Sequence, residues 1–210
     1  MIFHTFYVHP ERSFAYIPIG KVASTSIISA LSKRYYPHGK AAKAPNGLIK
    51  GNRENPINWN HPRHVFMFVR NPFDRLVSLW FNRGKVGKHS APSHASFRRR
   101  HGLNGKEAFP VFAHKVLGMK KVDHHAEVQW LHVPNQRIKA VMIFRFENLK
   151  HDFRACCDLL DIKPSLPHEA KSPRVRKHYS HYFDDESRAR AEAFYAADLT
   201  AYGYSFLELD

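Results

Sequence analysis

Two stretches of the chain hold residues whose types and spacing suit the binding of phosphate-like oxygens. The first is Pro18-Ile19-Gly20-Lys21-Val22-Ala23-Ser24-Thr25-Ser26. A glycine-containing loop that runs into a helix offers its backbone N–H groups to an anion. Lys21 adds a point charge, and the hydroxyls of Ser24, Thr25 and Ser26 add donors. The loop is not a Walker A loop, because Ala15 sits where the first glycine belongs and Val22 follows the lysine. A helix capped by Ser24 beside a surface lysine accounts for the same residues, and the loop alone leaves both readings open. The second stretch is Arg70-Asn71-Pro72-Phe73-Asp74-Arg75-Leu76-Val77-Ser78. Arg70 follows a buried apolar run, where a charge is costly unless it is used. Its guanidinium can grip a phosphate through two parallel hydrogen bonds, and Ser78 can donate one more. An Arg70–Asp74 ion pair with a solvated Ser78 is the plainer alternative. The pair of motifs is more specific than either alone, since each follows a strand.

The elements that position these residues follow from the apolar pattern. Phe14–Ile17 and Val65–Val69 are short continuous apolar runs, the mark of strands buried on both faces. After each comes a polar turn and then apolar residues at helical spacing: Ile27, Ile28, Ala30 and Leu31 after the first, and Phe73, Leu76, Val77 and Trp80 after the second. Pro72 suits the first helical turn, where its missing N–H costs nothing. Residues 33–63 read as loop. Residues 107–117 read as a helix despite Pro110, 141–146 as a third strand, and 148–160 as a helix with Leu149, Phe153, Cys156, Leu159 and Leu160 inward. Residues 184–202 read as one long helix with three acids at its positive end. Strands alternating with helices predict an α/β three-layer fold, with a mainly parallel central sheet flanked by helices, in a single domain over residues 1–210. In such sheets ligands lie beyond the carboxyl ends of the strands, where both polar turns fall.

Composition narrows the field. The chain has 210 residues, 33 of them Lys or Arg against 18 Asp or Glu, a formal charge of +15. That surplus points to an anionic partner without choosing among nucleic acid, membrane surface, acidic polysaccharide and phosphate-rich cofactor. The two cysteines are neighbours, Cys156 and Cys157, so the chain is no disulfide scaffold. It has no CxxC or HExxH pattern, and no metal is expected. No apolar run reaches the roughly 18 residues that span a bilayer. The expectation is a soluble, cytoplasmic chain. Ten basic residues and one acid, Glu107, lie between Arg83 and Lys121, a segment that reads first as an exposed basic loop.

The stretches YIPIGKVASTS and MFVRNPFDRLVSLW resemble the two signature motifs of the carbohydrate sulfotransferases, the Golgi-type family whose best-known members sulfate chondroitin, dermatan and heparan chains. The likeness extends through 144–153 and 182–206, as for a small bacterial-type member. It implies a P-loop-NTPase-like fold and the sulfate donor 3′-phosphoadenosine 5′-phosphosulfate (PAPS). It further implies that Lys21, Ala23, Ser24, Thr25 and Ser26 form the 5′-phosphosulfate loop and that Arg70 and Ser78 bind the 3′-phosphate. The segment before the final helix, with Arg174 and Arg176, would close over the nucleotide. Two departures stand out: Gly20 lengthens the spacing from proline to lysine by one residue, and Val22 replaces the usual threonine.

Sulfuryl transfer needs a base for the acceptor hydroxyl and a cation for the leaving oxygen. Lys21 suits the second task. For the first, Asp123-His124-His125-Ala126-Glu127-Val128-Gln129 resembles an element that precedes the third strand in many relatives. It makes His125 the expected base, with His124 and Glu127 in reserve and His61 and His64 behind them. The acceptor is expected to be a carbohydrate or other hydroxyl compound, an acidic polysaccharide among the options. The rival class is a non-catalytic module that binds polyanions or nucleic acid. No RNA-reading aromatic motif or zinc finger supports that rival, and no nucleic-acid partner is expected.

Overall fold

A computed structural model describes residues 6–8, 14–35, 49–51, 62–86, 91–133, 141–163, 165–166 and 177–207. The chain divides into two compact units, each assembled from two stretches of sequence: 1–70 with 131–170, and 71–130 with 171–210.

The first unit carries the sheet. Its strands are β1 (Phe6–Val8), β2 (Phe14–Ile17), β3 (Ile49–Gly51), β4 (His64–Val69) and β5 (Met142–Arg145), in the order β3-β1-β2-β4-β5. β2 pairs parallel with β4, and β4 with β5; β1 is antiparallel to both of its neighbours. Four strands therefore run one way and β1 runs against them, so the sheet is mostly parallel. β2 is buried throughout, which explains why FAYI reads as an unbroken apolar run. Tyr16 stacks on Phe66, and Phe68 stacks on Phe144, tying the three parallel strands together across one another. Helix α1 (Ser24–Tyr35) follows β2, and α5 (Leu149–Leu159) follows β5 and packs against it. Asp152 of α5 accepts the Arg145 amide at 2.6 Å.

The second unit is helical. It holds α2 (Pro72–Leu79), α3 (Pro92–Arg100), α4 (Phe109–Leu117), α6 (Asp185–Phe194) and α7 (Ala196–Tyr202). One π-helical turn, Trp80–Gly84, extends α2. Phe73, Leu76, Val77, Trp80, Phe109 and Phe112 are among the residues of its apolar core.

Several expectations need correction. Residues 33–63 are not all loop, since Ile49–Gly51 pairs with β1. Strands of three residues carry too little pattern to read from sequence. The 184–202 helix is two helices that break at Tyr195. Tyr195 leaves helical geometry where its hydroxyl donates to the Ala126 carbonyl at 2.8 Å. Pro110 lies in the first turn of α4, where it does no harm. On α5, Leu159, expected inward, is exposed, and Cys157 is buried beside Cys156. Residues 92–100 of the expected basic loop form α3. No helix among the described residues is long and apolar enough to cross a membrane.

The polar side of α2 is also interior. Asn71 caps the helix by accepting the Phe73 amide at 3.0 Å and donates to the Ser205 carbonyl at 3.1 Å. Arg75 is fully buried and donates to the Glu127 carbonyl at 2.7 Å. Burial disfavours its charge, and nearby Tyr195, Asp198 and Glu127 favour it. Asp198 on α7 in turn accepts the amides of Gln129 and Trp130 at 2.9 and 2.7 Å. This network fixes residues 126–130 to α2 and α7. Removing one charge from such a cluster strands the other in a dry interior. Replacement Arg75→Met should lower unfolding free energy by about 3 to 5 kcal/mol, read by urea denaturation. A loss below about 1 kcal/mol would show that the network is dispensable.

Candidate active site

In the first unit, β2 and β4 end side by side, with Ile17 in register with Met67. The loop after Ile17 turns back under constraint from its apolar residues. Ile19 and Val22 are fully buried, while Lys21 and Ala23 are only half-buried. Lys21 and Ala23 take left-handed backbone, with φ of 69° and 59°. Gly20 does not, so the permissive residue is not the one that makes the turn. The Val22 departure has a physical reason: that position faces the core, where a threonine hydroxyl would need a partner. The Ala23 carbonyl accepts the first helical bond, from Ile27 at 3.0 Å, and Ser24 is the first helical residue rather than the cap. Ser24 is half-buried, Thr25 exposed and Ser26 buried. The first turn of α1 has no acidic residue.

Arg70, directly after β4, reaches this loop. It is 4% exposed, and its Nη1 donates to the Lys21 carbonyl at 2.9 Å. Its Cζ lies 4.1 Å from the centroid of the Phe146 ring, a cation–π seat. Left-handed backbone at a non-glycine residue costs about 1 to 2 kcal/mol. A hydrogen bond from a charged donor contributes about 1.5 to 3 kcal/mol. The Arg70 bond is thus large enough to hold Lys21 in its strained conformation.

Ser78 belongs to the second unit, buried within α2 rather than solvated. His125 belongs there too, and its side chain is 15% exposed. Its Nδ1 lies 2.8 Å from Asp123 Oδ1, and its Nε2 lies 3.0 Å from an Nη of Arg83. An arginine can only donate. Nε2 is therefore an acceptor, and the ring proton sits on Nδ1, donated to Asp123. The His125 amide also donates to Asp123 Oδ1 at 3.1 Å, and Arg100 donates to Oδ2 at 3.0 Å. Burial pulls the His125 pKa down to about 4; the Asp123 bond opposes this, and the charges of His124 and Arg83 reinforce it. Burial raises Asp123, but its bonds from His125 and the charges of His125 and His124 outweigh that and hold it well below the carboxylate range.

The remaining candidates fall elsewhere. His124 is exposed, Glu127 is buried with its carbonyl on Arg75, and His64 opens β4. Arg174, Arg176 and His61 lie outside the described residues. Asp123, His124 and His125 each bring one potential ligand atom within 4.8 Å of the others. Arg83 and Arg100 already occupy His125 Nε2 and Asp123 Oδ2, and two guanidiniums beside a site oppose a cation there. Sequence reasoning missed Arg83, Arg100 and Arg75 as partners. The Asp123–His125 spacing was visible, but Arg83 is 42 residues away and carries no local signal.

The sulfotransferase family matches residues 4–205 of the chain. The chain belongs to that family. It is accordingly a PAPS-dependent transferase that acts on a hydroxyl acceptor. No curated protein and no solved structure matches it. The loop of this sulfotransferase suits an anionic donor by its residue types: it carries Lys21 and the hydroxyls of Ser24, Thr25 and Ser26 with no acid in the first helical turn, and the buried Arg70 bonds its backbone.

The lowered His125 pKa makes stability depend on pH. Between about 4 and the unfolded value of 6.5, the unfolded chain binds the proton that the folded chain refuses. Stability from His125 is therefore full above 6.5 and falls as pH drops to 4, by on the order of 3 kcal/mol. Urea midpoints at pH 7 and pH 4.5 should differ less for His125→Gln than for the unaltered enzyme. Equal pH slopes for the two would refute the neutral, buried state of His125.

Proposed function

We propose that this sulfotransferase transfers the sulfuryl group of PAPS to a hydroxyl of a carbohydrate acceptor, on a three-layer fold of the P-loop-NTPase type. The arrangement that supports this reading most is the Arg70 guanidinium seated against the Lys21 loop at the ends of two adjacent parallel strands. Loop N–H groups, Lys21 and the hydroxyls of Ser24, Thr25 and Ser26 would hold the 5′-phosphosulfate, with Ala23 letting the backbone approach. Arg70 and Ser78 would hold the 3′-phosphate, with Arg174 and Arg176 from the segment before α6. PAPS supplies an activated sulfuryl group and a phosphate leaving group.

Lys21 places its charge where negative charge grows on the leaving oxygen, a task that a fixed cation performs without reorganisation. His125 Nε2 takes the proton of the acceptor hydroxyl. The acceptor O–S bond forms while the bond between sulfur and the phosphate oxygen breaks. Asp123 acts through His125, fixing the tautomer that leaves Nε2 as the basic atom. Arg99, Lys106, Lys120 and Lys121 remain exposed and suit an acidic polysaccharide. Two buried thiols without a disulfide, Cys156 and Cys157, accord with a cytoplasmic setting. Burial pushes both thiols up, Cys157 to about 11, so neither is a nucleophile at neutral pH.

Calorimetry with 3′-phosphoadenosine 5′-phosphate should show saturable binding that weakens at least about tenfold in Arg70→Ala. In an acceptor screen with labelled PAPS, Lys21→Ala should lower kcat by about 10²- to 10³-fold. Absence of binding would refute the nucleotide assignment. Salt-sensitive DNA affinity that survives Arg70→Ala would instead favour a polyanion-binding module.

A further inference from the structure

Among the described residues Arg83 is hydrogen-bonded to a neutral ring and to no carboxylate, although the charge of Asp123 nearby favours its guanidinium. It leaves the π-helical turn half-buried, and the polar partner of its guanidinium is the neutral His125 ring. Its Nε is buried with no hydrogen-bond partner among the described residues. Asp123, the carboxylate whose charge acts on Arg83, is already bonded to His125 and Arg100. Two arginines and His124 thus surround a single acid. The turn that presents Arg83 is itself fixed, since Arg98 of α3 donates to the carbonyls of Arg83 and Lys85 at 3.3 and 3.2 Å. A Cβ at Gly84 would stand 2.8 Å from Phe112 and Trp80, so this close packing requires glycine. π-helical turns recur at functional sites because they redirect a side chain within an otherwise regular helix.

The consequence for His125 is specific. Its one basic atom, Nε2, is covered by an Arg83 N–H. A histidine in that state cannot accept a proton from a hydroxyl until the guanidinium moves.

We propose that Arg83 is a positioning residue that masks His125, and that an oxyanion on the acceptor, a carboxylate or a sulfate, draws it away and uncovers Nε2. The proposal rests on the reading of His125 as the base. The oxyanion gives the guanidinium a directly bonded anion in place of a neutral ring, and the freed ring gains basicity because a neighbouring cation has left. Hydroxyl acceptors that carry an acidic group close to the reacting oxygen are then favoured over neutral ones. The groups facing His125 are Asp123, His124 and Arg83, with Arg100 beyond Asp123. Of these, Arg83 shares the charge of Asp123 with Arg100 and bonds only the neutral ring.

Imidazole NMR of the full chain tests this, with the His125 signal identified by its loss in His125→Gln. In the unaltered enzyme His125 should remain neutral, with its proton on Nδ1, from pH 7 to pH 5. Arg83→Gln should raise its midpoint by about one pH unit or more. Inorganic sulfate, used as the anion probe, should raise the midpoint in the unaltered enzyme and leave Arg83→Gln unmoved. An unchanged midpoint in Arg83→Gln, or an equal sulfate response in both proteins, overturns the masking. A response to 3′-phosphoadenosine 5′-phosphate but not to sulfate overturns the acceptor assignment. The sulfate titration of the unaltered chain stands even if Arg83→Gln does not fold. Failure of the base reading looks different: labelled transfer persists in His125→Gln, whatever the NMR of Arg83 shows.

Discussion

The hydrogen bond from Arg70 to the Lys21 carbonyl is the constraint on which the loop after β2 depends. It meets Lys21 at a backbone angle that its Cβ resists. With it, the end of one strand dictates the shape of the turn after its neighbour. The cation is itself kept in place by Phe146, which follows the third of the parallel strands. Three successive strand ends therefore cooperate at one short loop. This is the physical content of the rule that α/β sheets bind ligands beyond their carboxyl ends. Parallel strands deliver their exits together, so residues far apart in sequence meet there at little entropic cost.

The RNPFDRLVS motif serves two purposes that its sequence does not separate. Arg70 lies at the strand end beside the loop. Arg75, five residues on, is wholly interior and bonded to a backbone carbonyl. Asn71 likewise is consumed in capping α2 and tying it to residues 179 and 205. A motif that looks like a run of ligand-binding polar residues is therefore half architecture. The buried arginine is expensive, and the Glu127 carbonyl and the charges of Asp198 and Glu127 offset that expense. It gains a fixed position for the segment that carries His125.

Much of this was legible in the sequence. β2, β4, α2 and α4 have apolar runs long enough, or periodic enough, to declare themselves. The loop and Arg70 were legible because both interrupt apolar runs with charge, and interruptions are informative where burial makes charge costly. What escaped was short or long-range. β1 and β3 have three residues each, too few for a period. The break falls at Tyr195, whose hydroxyl bonds the distant Ala126 carbonyl, a contact that no local propensity encodes. The Arg83–His125 contact depends on a π-helical turn, and five residues of sequence do not reveal that a helix will widen.

The charge of +15 looked like a single signal and is several. Between Arg83 and Lys121, Arg98 serves the carbonyls of the π-helical turn, Arg100 serves Asp123, and Lys115 bridges Glu107 and the Gly102 carbonyl. Lys85 lies 3.9 Å over the Trp80 ring. These cations are internal fasteners, and a bulk count overstates what is free to meet a partner. Arg83 differs from these fasteners, because its hydrogen-bond partner is the neutral His125 ring while Asp123 is bonded to His125 and Arg100. A cation held against a basic nitrogen is a stored imbalance. The simplest way to relieve it is to supply a further anion beside the guanidinium.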